Sequence, residues 1–151
     1  MEIIKMDTEQ YAGQKFTLRY ITNGHYDIRQ TDMGFQVTYV PFGKPVEMSF
    51  DDCFFNEWLE DPVAYGAFEN GQFLGYVEGT LEKWNNRYRI SNICVFDNAR
   101  RHGGIGTALM NTILQEAKES GARMVVLETQ TCNENAIAFY RKNGFDIIGF
   151  D

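Results

Sequence analysis

The chain has 151 residues, a length that fits one domain with a real hydrophobic core. Its 14 Lys plus Arg against 21 Asp plus Glu give a formal net charge of −7. That balance argues against a general nucleic-acid binder, which needs a basic face, and permits a cationic small molecule as partner.

The first forty residues read as short, partly apolar segments, and Tyr39 to Pro45, with two prolines, reads as a loop. Phe50 to Leu59 mixes acids with Phe54, Phe55, Trp58 and Leu59, the spacing of a short amphipathic helix that Ser49 or Asp51 would cap. Val63–Phe68 and Phe73–Leu81 flank Glu69-Asn70-Gly71-Gln72, and Asn-Gly between two apolar runs predicts a hairpin. Tyr88–Phe96 is a third strand of this antiparallel meander. Then the period changes: Ile105, Leu109, Ile113, Leu114 and Ala117 mark an amphipathic helix that Gly121 ends. Met124–Leu127 is a short buried strand. Asn133 or Asn135 opens a second helix, Asn143-Gly144 closes it, and Phe145–Phe150 reads as a last strand. The order predicts an α/β fold, a mixed central β-sheet flanked by helices, in a single domain over residues 1–151.

Cys53, Cys94 and Cys132 are odd in number and widely spaced, and His25 and His102 lie far apart, so neither a disulfide framework nor a metal site is expected. No run approaches the roughly 20 apolar residues of a membrane span, and no signal peptide is visible. A cytoplasmic location with no membrane partner is the default expectation.

The segment that carries chemistry joins the third strand to the first long helix: Arg100-Arg101-His102-Gly103-Gly104-Ile105-Gly106-Thr107. Glycines allow a tight turn and uncrowded N–H groups, a helix start adds partial positive charge, and arginines pair with phosphate oxygens. This is an anion cradle. It is not a Walker-type loop, having no Gly-Lys-Ser/Thr, and a dinucleotide fingerprint from Gly104 would demand glycine where Leu109 stands.

Arg101-His102-Gly103-Gly104-Ile105-Gly106 resembles the Arg/Gln-x-x-Gly-x-Gly/Ala signature of the GNAT N-acetyltransferases. Downstream, Asn133 to Phe145 is similar to that family's Asn-x-x-Ala-x-x-Phe/Leu-Tyr-x-x-x-Gly-Phe signature. Two motifs in the right order, with a strand and a helix between them, cover at least Val63 to Asp151. Within the family the resemblance is strongest to streptothricin acetyltransferases, through Leu127-Glu128-Thr129-Gln130-Thr131, Tyr65-Gly66-Ala67-Phe68 and Trp84-Asn85.

The resemblance implies a GNAT fold that holds acetyl-CoA between two splayed strands. The pantetheine arm would pair with the backbone of Ile93-Cys94-Val95, and the pyrophosphate would rest on Arg100, Arg101, His102, Gly103, Gly104, Ile105, Gly106 and Thr107. Asn133 matches the asparagine that hydrogen-bonds the pantetheine, though it would also serve as a helix cap. Tyr140 matches the tyrosine that protonates the departing thiolate. The expected acceptor is a primary amine on a small cation, streptothricin-like, in an antibiotic-resistance role. An ammonium needs a base before it can attack. Glu78, in a central strand among apolar neighbours, is the first candidate and Glu128 the second; for either, the alternative is a surface strand residue. Trp84 is a further acceptor-side candidate. Cys94 reads as a buried strand cysteine, since no histidine is near it in sequence and the family transfers acetyl directly. Acetylation of a protein N-terminus or lysine, and acyl-CoA binding without turnover, are the alternative readings.

Two departures from the family stand out. Val95 to Gly104 is one residue longer than the family spacing, which predicts a bulge or a shifted arginine. The chain also stops at Asp151, where relatives run on through a strand that closes the sheet. The expectation is therefore a fold lacking that strand, or one completed by a partner subunit in a homodimer. Charge is divided along the chain as well. Between Val46 and Glu82 there are nine acids and no Lys or Arg, whereas Lys83 to Arg101 holds five basic residues and one acid. That split suits an anionic cofactor at one end of a site and a cationic acceptor at the other.

Overall fold

Asn70 and Gly71 both take positive φ, 50° and 77°, as a two-residue hairpin turn requires. They join β4 (Val63–Glu69) to β5 (Gln72–Glu82), and β6 (Arg87–Val95) completes the antiparallel meander. The structure, a computed structural model, describes residues 1–96 and 103–151. Its other elements are β1 (Glu2–Lys5), α1 (Thr8–Tyr11), β2 (Lys15–Gln30), β3 (Phe35–Cys53), α2 (Ile105–Glu119), β7 (Met124–Val126) and α3 (Glu134–Lys142). Two compact units divide the chain: Met1–Leu18 with Phe50–Glu128, and Arg19–Ser49 with Thr129–Asp151.

The first unit is built on a five-stranded mixed sheet in the order β1-β4-β5-β6-β7, antiparallel except for the parallel β6–β7 pair. Tyr65, in register with Val77, reaches Glu116 of α2 by a 2.6 Å hydrogen bond, which fixes the helix side of the sheet. Helix α2 buries Ile105, Leu109, Met110, Ile113 and Ala117. This is the predicted stripe, with Met110 buried in place of Leu114. Tyr76 and Glu78 alternate with Val77 and so point to the opposite face. There Tyr76 joins Met6, Phe54, Phe55 and Ala64 in a core edged by Phe16, Phe73 and Phe96. Phe54 sits 4.8 Å from the Tyr76 ring and 4.7 Å from that of Phe16, centroid to centroid. Many of the aromatics therefore pack the core.

The second unit contains the paired body of β2 and β3 together with α3. Asn133 caps α3, its Oδ1 accepting from the Ala136 N–H, and Gly144 follows the helix at φ 90°.

Three expectations fail. Residues 39–45 are not a loop but part of β3. A two-stranded ribbon leaves one edge of each strand without a ladder partner, so Pro41 and Pro45 are tolerated. Phe50–Leu59 is not a helix: β3 runs to Cys53 and turns follow, with Phe55 left-handed at φ 52°. Phe145–Phe150 forms no strand, and Ile147 and Ile148 are exposed. Both apolar patterns are real, but neither finds the hydrogen-bond partners that its predicted element needs.

Candidate functional site

The meander does not run evenly. Between Glu78/Asn92 and Gly79/Ile90 the β5–β6 register shifts, so Ser91 is an extra residue and a bulge forms. Beyond it the sheet parts. β7 pairs with β6 only at Arg87–Arg89, so Ile93, Cys94 and Val95 pair with β5 on one side and have no β7 partner on the other. That open backbone edge, in the strand expected to hold a pantetheine arm, offers the donors and acceptors an extended amide chain would need.

At the N-terminus of α2, Gly104 is the cap residue at φ 88°, a left-handed conformation that suits glycine. Among the described residues no side chain caps this helix and no acid occupies its first turn, so its leading N–H groups keep their affinity for an anion. Gly103, Gly104, Ile105, Gly106 and Thr107 are thus suited to a phosphate, and together with the open edge of β6 they fit the two ends of a CoA-type cofactor. Arg100, Arg101, His102 and the extra residue expected before Gly104 fall at or beside positions 97–102, which lie outside the described residues.

The bulge aims Glu78 into the aromatic face, where it is 0% exposed. Its Oε2 accepts the Phe55 N–H at 2.8 Å and its Oε1 accepts the Ser91 hydroxyl at 2.8 Å. Burial raises the carboxyl pKa above its ordinary value, the Asp52 charge adds to this, and the donated hydrogen bonds oppose it. A carboxylate whose basicity is raised is suited to taking a proton. The left-handed Phe55 supplies one of those hydrogen bonds, so the strained turn is tied to the acid it serves.

The other candidates are spread out. Glu128 is exposed, and its Oε1 accepts from Arg89 Nη1 at 3.0 Å. Trp84 is 82% exposed, with the Arg87 guanidinium 5.8 Å from its ring centroid. Cys94 is in register with Tyr76, and burial pushes its thiol pKa well above the ordinary range, as befits an inert strand cysteine. All three cysteines are free. Asn133 and Tyr140 belong to the second unit. Asn133 holds the start of α3, and the half-buried Tyr140 ring lies edge-on to Phe139 and Phe145, at 5.9 and 6.0 Å.

Sequence reasoning missed Asp52, which was seen only as one acid in a run. Its Oδ1 accepts the Cys53 N–H at 2.8 Å and Asn56 Nδ2 at 2.9 Å, and its Oδ2 accepts Asn92 Nδ2 at 2.9 Å. The signal available was Asp52 and Asn56 at i, i+4, which the predicted helix hid. Among the described residues no group of three or more His, Cys, Asp or Glu side chains is placed to hold a metal ion. No helix among them is long and apolar enough to cross a membrane.

A mixed sheet that parts beside a glycine-led helix is the arrangement that the resemblance implies for an acyl-CoA-dependent transferase. The model of the acetyltransferase (GNAT) family matches residues 27–145, and the chain belongs to that family. It is an acetyltransferase of the GNAT type, related to the streptothricin acetyltransferases. The Escherichia coli protein of that name is 30% identical over 135 residues, which cover 87% of this chain and 73% of the relative. Among solved structures, a nourseothricin acetyltransferase superposes with a TM-score of 0.78 at 26% identity, covering 99% of this chain and 85% of the other. A Bacillus anthracis protein described as a streptothricin acetyltransferase, in complex with acetyl coenzyme A, gives 0.70 at 26% identity, covering 99% and 86%.

Proposed function

We propose that this chain, acting as one domain over residues 1–151, transfers an acetyl group from acetyl-CoA to a primary amine of a small cationic acceptor of the streptothricin kind, and so confers resistance in the cytoplasm. The observation that carries the reading is the buried Glu78 carboxylate at the bulge, in the strand beside the open edge of β6. Bound acetyl-CoA supplies an activated thioester carbonyl; everything else falls to the chain. The backbone of Ile93–Val95 and the first turn of α2 bind the cofactor's amide arm and its phosphates, with Arg100, Arg101 and His102 contributing charge. Glu78 takes the proton that an ammonium must lose before its nitrogen can attack. Tyr140 holds a phenolic proton for the leaving sulfur, a role that rests on its match to the second family signature. Relatives named for streptothricin and nourseothricin acetylation support the acceptor class.

The test is release of free thiol from acetyl-CoA with streptothricin, a polyamine or a lysine-containing peptide as acceptor. Turnover with streptothricin well above the other two is expected. Turnover only with the peptide would replace this reading by protein acetylation, and cofactor binding without turnover would reduce the chain to an acyl-CoA-binding module.

A further inference from the structure

The nine acids between Val46 and Glu82 do not share one fate. Glu60 and Asp61 face Lys83 at 3.8 and 3.5 Å, Glu82 pairs with both Arg87 and Arg89 at 3.1 Å, and Glu69 meets the N-terminal ammonium at 3.4 Å. Asp52 and Glu78 are each held instead by two or more neutral donors. Their donors among the described residues are neutral: backbone N–H groups of Cys53 and Phe55, amides of Asn56 and Asn92, and the Ser91 hydroxyl. Among the described residues no Lys or Arg pairs with either. Asn92, which donates to Asp52, stands in register with Glu78 across the β5–β6 pair.

The two acids differ in access. Glu78 is fully buried, whereas Asp52 is partly exposed at the end of β3. A carboxylate offers about four acceptor positions, and Asp52 has three of them filled, so one on Oδ2 is left. A second observation marks the same place. Tyr76 is 0% exposed, yet among the described residues its hydroxyl has no hydrogen-bond partner. Tyr76 lies two residues from Glu78 on the same face of β5, in register with Cys94. Buried hydroxyls are normally partnered, so an unpartnered one on the strand face of Glu78, whose register partner Asn92 holds Asp52, points to a ligand.

We propose that Asp52 recognises the ammonium group of the acceptor, pairing with it at the remaining position of Oδ2 and setting a preference for cationic over neutral ligands. This assignment deepens the acetyltransferase reading and rests on it for the chemistry, but binding is measurable without turnover. The probes are streptothricin, its form acetylated at the amino group, in which the ammonium has become a neutral amide, and acetyl-CoA, each titrated calorimetrically into the full chain. Asp52→Asn is expected to weaken streptothricin by roughly tenfold or more, as loss of a charged hydrogen bond does, and to leave acetyl-CoA affinity unchanged. Asp51→Asn removes the same charge one residue away, at a carboxylate that accepts from Thr17, and is expected to change neither. The wild-type chain provides an arm that needs no variant: the acetylated form, lacking the ammonium, should bind at least tenfold more weakly than streptothricin. Equal binding of the two forms, equal weakening by Asp51→Asn, or no streptothricin binding at all would overturn the proposal. Streptothricin binding that responds to Asp52→Asn in a chain that fails to bind acetyl-CoA would sink the acetyltransferase reading and leave this assignment standing.

Discussion

The two units are held together by different chemistry. Every buried apolar side chain of the described core, from Met6 to Val126, belongs to the first unit. In the second, the fully buried side chain is a threonine, Thr22, while Met33 stands 94% exposed and Phe35, Tyr39 and Phe42 are also exposed. Beside ring contacts such as Phe35–Phe150 and Tyr26–Tyr39, what ties that unit together is polar. Glu134 accepts from the Asn23 N–H at 2.7 Å and from the Tyr39 hydroxyl at 2.6 Å, Tyr20 donates to Gln130 at 2.8 Å, and the Tyr26 N–H reaches the Thr131 carbonyl at 3.0 Å. A sheet sealed by apolar contact resists local opening, while a ribbon held by hydrogen bonds open to water opens at lower cost. The first unit therefore holds the sites that need fixed geometry, Glu78 and the parted strands.

The contrast can be broken in four ways. Truncation comes first: Leu109→Ala, at a 0% exposed position, is expected to cost about 2–5 kcal/mol by chemical denaturation, whereas Met33→Ser should fall within about 0.5 kcal/mol of wild type. Comparable losses at both sites would erase the distinction. Second, Glu78→Gln is expected to lower turnover by roughly 10²-fold or more. Its stability carries a sign as well. Burial raises the Glu78 pKa in the folded state, so its contribution is fully present below the unfolded value of about 4.3 and is lost as pH rises through the folded one. The wild-type midpoint should therefore fall relative to Glu78→Gln as pH climbs through that window, and parallel curves would contradict the burial argument.

Third, Tyr140→Phe is expected to slow turnover by roughly tenfold or more while sparing acetyl-CoA affinity, which would show that the second unit also takes part in chemistry. Unchanged rates across pH would remove Tyr140 from the reaction. The smallest effect is local. Glu134 has its pKa lowered, first by the Tyr39 hydroxyl and then by the Asn23 N–H, so the stability it lends is present above the ordinary carboxylate value and is lost as pH falls through the depressed one. Glu134→Gln should speed hydrogen exchange at the Asn23 amide and leave exchange in β5 as it is.

Sequence legibility follows the same division. The hairpin at Asn70-Gly71, the stripe of α2 and the cap at Asn133 could all be read directly, because turn, period and cap are local properties. The long ribbon could not: the alternation at Phe35, Val37 and Tyr39 and again at Val46, Met48 and Phe50 is interrupted by Val40 to Pro45, and the two prolines there argue against a strand unless the open edges are known in advance. The bulge was equally hidden, since a register shift depends on two strands at once. Within the site, Glu78 stood out as an acid among apolar neighbours. Asp52 did not, because its meaning lies in Asn56 and Asn92 and in the absence of a cation beside it among the described residues.

The three-residue pairing of β6 with β7 also has a colloidal side. An unpaired strand edge is a template on which another chain can add, and natural sheets guard such edges. Here the residues along it, Ile93, Cys94 and Val95, include no charged side chain to repel a newcomer. Bound cofactor would shield that stretch and stabilise the folded chain by mass action. Storage without it should favour strand-to-strand association, and acetyl-CoA in the buffer should suppress light scattering at concentrations near its dissociation constant.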